Sequence, residues 1–157
     1  MNKDLKNYII EKTIIREAVH DDLQQILQLY LYLHETEIPD NNDHLKSVWN
    51  KIMNDENYHI IVCEKEEKIV SSVTCIVVPN LTRNVRPYAF IENVVTDKAF
   101  RGKGFASDCM KFAEKVAKAN NCYKMMLLTG SKDASVHNFY KNAGYNSFDK
   151  TAYIKHL

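Results

Sequence analysis

The stretch YAFIENVVTDKAFRGKGFA, running from Tyr88 to Ala106, changes its period midway. Tyr88 to Thr96 is rich in β-branched and aromatic residues and predicts a strand. From Arg101 onward the period is helical, with Phe105, Cys109, Ala113, Val116 and Ala117 on one side. A strand therefore feeds the turn Arg101-Gly102-Lys103-Gly104-Phe105-Ala106 into a helix. Free amides at such a helix start, reinforced by the helix dipole, make a site for an anion such as phosphate. Gly102 and Gly104 remove side chains that would hold a pyrophosphate off the backbone, while Arg101 and Lys103 add charge. The turn is not a Walker loop, since no G-K-[ST] follows at the required spacing. Ser107 also stands where a dinucleotide fingerprint would need its third glycine.

Upstream, Thr13 to Val19 reads as a strand, and His20-Asp21-Asp22 supplies a cap and two carboxylates for a helix with Leu23, Ile26, Leu27 and Tyr30 on its apolar face. After Pro39 and the Asp40 to Asp43 cluster, a second helix carries Leu45, Val48, Trp49, Ile52 and Met53. Tyr58 to Cys63 and Ile69 to Val78 predict an antiparallel hairpin, and Pro79 to Pro87 a loop holding Arg83 and Arg86. Downstream, Cys122 to Thr129 reads as strand and Asp133 to Ala143 as helix stopped by Gly144. Tyr153 to Leu157 reads as a last strand. The order predicts a mixed α/β (α+β) fold, a sheet with helices packed on its faces.

The 157 residues, 45% hydrophobic and 26% charged, suit one domain spanning 1–157. A net charge of +1 gives no general field toward nucleic acid or acidic membrane. The apolar runs around Leu29 to Leu33 and Ile76 to Val78 fall far short of the ~20 residues that cross a bilayer. Charge at Lys3, Asp4 and Lys6 occupies the place of a secretory signal's apolar core, so a cytoplasmic location is expected. Cys63, Cys75, Cys109 and Cys122 show no C-x-x-C spacing and suggest no metal site. Cys63 and Cys75 flank the turn Lys65 to Lys68 and are expected to face one another on the hairpin as reduced, buried thiols.

Arg101-x-x-Gly104-x-Ala106 after a long strand resembles the acetyl-coenzyme A signature of the GNAT superfamily of N-acetyltransferases. Phe139-Tyr140-Lys141-Asn142-Ala143-Gly144-Tyr145 resembles that family's short helix bearing a tyrosine and ending in glycine plus an aromatic. The layout matches from Thr13 onward, leaving the first dozen residues as an additional terminal segment. The resemblance implies a twisted, mostly antiparallel sheet splayed at two central strands, Tyr88 to Thr96 and Cys122 to Thr129, the first carrying a bulge. It further implies acetyl-CoA as cofactor. Backbone groups near Val94, Val95 and Thr96 would pair with its pantetheine amides, amides from Gly102 to Ser107 would cradle its pyrophosphate, and Asn138 would contact it.

The acceptor so implied is a primary amine on a small molecule. Glu92, a carboxylate costly to place in its apolar run, matches the family's catalytic glutamate and is the candidate general base. Tyr140 matches the tyrosine near the coenzyme sulfur and is the candidate general acid. Arg83 and Arg86 would face an anionic group on the acceptor. Tyr30, Tyr32 and His34 end the first helix on the acceptor side, and His137 lies near Tyr140. Ile91-Glu92-Asn93-Val94-Val95 with Cys122-Tyr123-Lys124 resembles glucosamine 6-phosphate N-acetyltransferases, but Met125 to Thr129 lacks the acid that those enzymes carry there. The same phrases resemble bacterial members of the superfamily acting on other amines. Dimers are frequent in the family, which leaves room for a homodimer. The rival readings are a non-catalytic acetyl-CoA sensor and a nucleotide-binding module.

Overall fold

A computed structural model describes residues 13–157. The additional segment expected over the first dozen residues lies outside the described ones. Five strands, β1 (Thr13–Glu17), β2 (Tyr58–Lys65), β3 (Lys68–Val78), β4 (Tyr88–Thr96) and β5 (Met125–Leu127), form one sheet in that order. The first four run antiparallel, and β5 joins β4 in parallel through Ala89–Met125, Phe90–Met126 and Ile91–Leu127. β2 and β3 are joined through Glu66 and Glu67, both at positive φ, the turn geometry whose twist matches a tight hairpin.

Four helices cover the two faces: α1 (Leu23–Tyr30), α2 (Asp43–Met53), α3 (Phe105–Ala119) and α4 (Ala134–Asn142). On one face Ile26, Leu29 and Trp49 meet Ile60, Val62, Ile69 and Val95. On the other, Cys109, Ala113, Val116 and Ala117 of α3 meet Ile61, Val73, Cys75, Ala89 and Ile91, with Phe139, Tyr140 and Tyr145 at the margin. The Arg16 guanidinium fastens the sheet edge to the start of α1, donating to Asp22 Oδ2 at 2.6 Å and to Glu64 Oε2 at 2.8 Å. Trp49 Nε1 donates to the His20 carbonyl and ties α2 to the same point.

Several expectations need correction. Tyr153 to Leu157 forms no strand: it finds no neighbour to pair with among the described residues, so β5 is the sheet edge and not a central strand. β5 itself has three residues, because Cys122 and Tyr123 serve the turn, where the Tyr123 amide donates to the Pro87 carbonyl. Cys63 pairs with Ser71 and Cys75 with His59, because the turn at Glu66 and Glu67 comes three residues after Cys63 but eight before Cys75. The two cysteines therefore do not face each other, although both are buried and free. Within the loop before β4, Thr82 to Val85 winds into a single left-handed turn, with Arg83, Asn84 and Val85 at positive φ. The Asn80 side-chain amide holds that turn by donating to the Thr82 and Arg86 carbonyls.

Candidate active site

Opposite β3, the pairs Ser72–Val95 and Thr74–Glu92 bracket one residue too many on β4. The surplus is taken up at Asn93, whose φ of 50° marks a bulge. Below the bulge, β4 is bonded to β5 as far as Ile91–Leu127; beyond it the strands part, leaving a V whose one wall is Glu92 to Thr96. Two of the carbonyls along this wall already have partners. Val95 accepts from Ser71 Oγ at 3.0 Å and Thr96 from Arg101 Nε at 3.1 Å. Val95 is buried, and Val94 packs toward α3 from the other face.

Glu92 is half-buried on the face shared with Thr74. The Tyr30 hydroxyl lies 3.5 Å from Thr74 Oγ1 on that face. Burial pushes the Tyr58 phenol up, and the charges of Tyr30 and Glu92 push it further. Burial likewise raises the Tyr140 phenol, and again the Glu92 charge adds to it. One carboxylate is thus felt by phenols on both sides of the opening, and each phenol keeps its proton beyond the usual range. Tyr140 is oriented by its neighbours. Gly144 at φ 90° ends α4 and lets Tyr145 return, donating its amide to the Tyr140 carbonyl, with the two rings 6.3 Å apart.

At the wide end of the V, Asp97 closes β4. It is buried, accepts from Lys68 Nζ at 2.7 Å and from the Ala99 amide at 2.9 Å, and these bonds hold its carboxyl below the usual range, helped by the Tyr32 hydroxyl. The turn that follows is exposed from Arg101 to Gly104, with Gly102 at φ 73° and Gly104 at φ 87°. Phe105, Ala106 and Ser107 make the first turn of α3, which no side chain caps. A Cβ at either glycine would meet nothing within 4 Å, so the space in front of these amides is open. Lys103 lies over the Phe100 ring and Arg101 over that of Tyr32, which adds cations to the uncapped helix start.

The remaining expected residues are dispersed. Asn138 is exposed on α4, and His137 Nε2 lies 2.8 Å from the Ser131 carbonyl, an anchor for the start of that helix. Arg86 donates to the Asn121 and Cys122 carbonyls at 3.1 Å each, which staples the end of α3 to the entry of β4. Arg83 lies over the Tyr123 ring and, with Lys124, Asp149 and Lys150, lines an open depression there. Five residues of chain separate Arg86 from Glu92, about 20 Å between them if extended. The sequence reading overlooked Tyr58 and Asp97. Only the latter left a signal, an Asp immediately ahead of a helical turn, capping the amide two residues on.

This geometry can be compared with known proteins. The family model described as Acetyltransferase (GNAT) family matches residues 20–145. A glucosamine 6-phosphate N-acetyltransferase of Trypanosoma brucei brucei is 28% identical over 83 residues, 53% of this chain and 54% of that protein. Its Arabidopsis thaliana counterpart is 32% identical over 94 residues, 57% of this chain and 60% of that protein. The matched stretches thus span little more than half of these curated relatives. Among solved structures, a protein from Agrobacterium tumefaciens str. C58, provisionally assigned as an acetyltransferase, superposes with a TM-score of 0.84 at 37% identity, covering 91% of this chain and 99% of that one. The Arabidopsis thaliana enzyme superposes with a TM-score of 0.79 at 24% identity over 94% of this chain and 99% of its own, a likeness of fold. The splayed sheet, the bulge and the open helix start are therefore those of a chain that belongs to the GNAT acetyltransferase family.

Proposed function

We propose that the protein transfers the acetyl group of acetyl-CoA to a primary amine of a small-molecule acceptor by direct attack, with Glu92 as general base and Tyr140 as general acid. The observation that supports this reading is the parting of β4 from β5 beyond Ile91, with Glu92 next along the wall and its charge felt at Tyr140. Backbone groups of Val94, Val95 and Thr96 are the candidates for the pantetheine amides, those of Val95 and Thr96 sharing their carbonyls with internal donors. The amides from Gly102 to Ser107, with Arg101 and Lys103, hold the pyrophosphate, and the open space before Gly102 and Gly104 fits that role. Asn138 adds a contact from α4.

When bound, the coenzyme supplies an acyl group already activated as a thioester. Glu92 takes the proton that the amine must lose before or as it attacks. The Tyr140 phenol, kept protonated by burial, gives its proton to the sulfur as the carbon–sulfur bond breaks. The wall of β4 holds both partners in register, so that much of the catalysis is positional.

Arg83 and Arg86, with Lys124 and Lys150 and against the single carboxylate of Asp149, bring a surplus of positive charge to the closed end of the V. That charge favours an acceptor bearing a carboxylate or phosphate by steering it along β4. The curated relatives favour glucosamine 6-phosphate as one such acceptor. Against it stands the absence of an acid from Met125 to Thr129, where Leu128 is instead exposed. Release of coenzyme A thiol with glucosamine 6-phosphate, amino acids, polyamines and short peptides in parallel tests the reading. Turnover with the sugar phosphate supports that acceptor, and turnover only elsewhere removes it. No turnover with any amine, alongside a rise in Tm with acetyl-CoA, would leave a binding module in which Glu92 does no chemistry. We also infer a homodimer from the apolar side chains of Phe148, Tyr153, Ile154 and Leu157, all exposed, which a second copy would cover.

A further inference from the structure

The end of α1 and the turn after it approach the stretch from Glu92 to Arg101 at two separated points. At Tyr30 the helix reaches Thr74, the cross-strand partner of Glu92, and the Tyr30 phenol also feels the Asn93 side chain at the bulge. One turn of 3-10 helix, Leu31–Leu33, follows and is stopped by His34 at φ 70°. Within that turn the Tyr32 ring lies 5.6 Å from Lys98 Nζ and 5.9 Å from the Arg101 guanidinium carbon. Arg101 is in turn held to the Thr96 carbonyl. Two tyrosines, one closing α1 and one in the turn after it, therefore stand near the two ends of the stretch from Glu92 to Arg101.

We propose that Tyr32 is a positioning residue for the coenzyme turn, and that Tyr30 and Tyr32 together brace the bulge and the turn in fixed relation. Arg101 and Lys98 carry long side chains with many rotamers; a shared aromatic face, with the Thr96 carbonyl for Arg101, fixes their direction before an anion arrives, which lowers the ordering cost of binding. Tyr32 touches no reacting atom, so its effect passes through Arg101 and Lys98. This inference rests on the acetyl-CoA reading above.

The test is calorimetric titration of acetyl-CoA into wild type, Tyr32→Ala and Tyr32→Phe, with a thermal melt of each and with Tyr32→Leu as a second truncation should the alanine variant fold poorly. Losing two cation–π contacts at an exposed site weakens binding about five- to tenfold in the truncated variants, while Tyr32→Phe keeps the ring and stays within about twofold. Equal binding by wild type and the truncated variants, or an equal loss in Tyr32→Phe, overturns the role of Tyr32. Failure of wild type itself to bind acetyl-CoA overturns the underlying reading of the site, and the brace with it. At the other point, Tyr30→Phe lowers kcat severalfold at unchanged KM for acetyl-CoA. An unchanged kcat removes Tyr30 from the brace.

Discussion

The charge of Glu92 is felt at two tyrosines, Tyr58 and Tyr140. Glu92→Gln keeps the shape and removes the base. It is expected to lower kcat by about 10²-fold or more while leaving acetyl-CoA affinity within about twofold, read by steady-state kinetics and calorimetry. Tyr140→Phe keeps the ring contacts with Phe139 and Tyr145 but loses the proton. Because the phenol titrates above its ordinary value, wild type retains its acid well into the alkaline range. The variant should show a kcat lowered about tenfold across that whole range, with no steepening near neutrality. The sequence proposes these two residues because a carboxylate in an apolar strand is a local pattern and because Phe139 to Tyr145 resembles the family's tyrosine-bearing helix. The partners that tune them were not legible in it. Tyr58 and Tyr30 belong to β2 and α1, and only the packing of the fold brings one within reach of the Glu92 charge and the other against Thr74, its cross-strand partner.

At the scale of elements, the start of α3 combines two conditions that rarely coincide by accident: left-handed glycines and an uncapped helix facing open space. Gly104→Glu should fill that space with bulk and negative charge and abolish measurable acetyl-CoA binding in calorimetry, with the fold retained by circular dichroism. The strand-turn-helix from Tyr88 to Ala119 was readable because its period changes within one stretch, and the β2–β3 hairpin because two β-branched runs flank a charged turn. Pairing was less readable. Tyr153, Lys155 and Leu157 alternate as a strand does, yet a strand exists only where a neighbour accepts its hydrogen bonds. Likewise Cys63 and Cys75 are kept apart by a turn confined to Glu66 and Glu67, much nearer to Cys63 than to Cys75, whose exact place no periodicity announces. Arg83 and Arg86 read alike in sequence, but the fold commits Arg86 to two carbonyls and leaves Arg83 on an aromatic ring.

For the whole molecule, titration sets limits on both sides. Burial pushes Cys63 up to about 11 and Cys75 and Cys109 up to about 12, from 9.0. Their folded values are raised, so the stability they contribute is complete below pH 9 and is lost as pH climbs toward 12. Asp97 is held below 3.8 chiefly by Lys68; burial alone would raise Asp22, but the Arg16 guanidinium and the Val19 amide outweigh it. Their contribution is complete above about pH 4 and is lost as pH falls through the folded values. Urea unfolding at pH 3, 7 and 10.5 should give its highest midpoint at 7. Exposure of 90% at Phe148 and 93% at Tyr153 bears on assembly. Light scattering should give twice the chain mass of 18.2 kDa, and Tyr153→Ser with Ile154→Ser should shift it toward the single-chain value. The bulge at Asn93 carries one more consequence. Ile91 and Val94 face one layer of the core, Glu92 and Val95 the other, so the strand is two regular phases with a single residue inserted between them. Deleting Asn93 would bring Val94 opposite Val73 and join the phases without turning any apolar side chain to the wrong layer. The shortened chain should melt no earlier than the natural one and transfer no acetyl group, since the residue it lacks serves the opening of the cleft and contributes nothing to holding the sheet together.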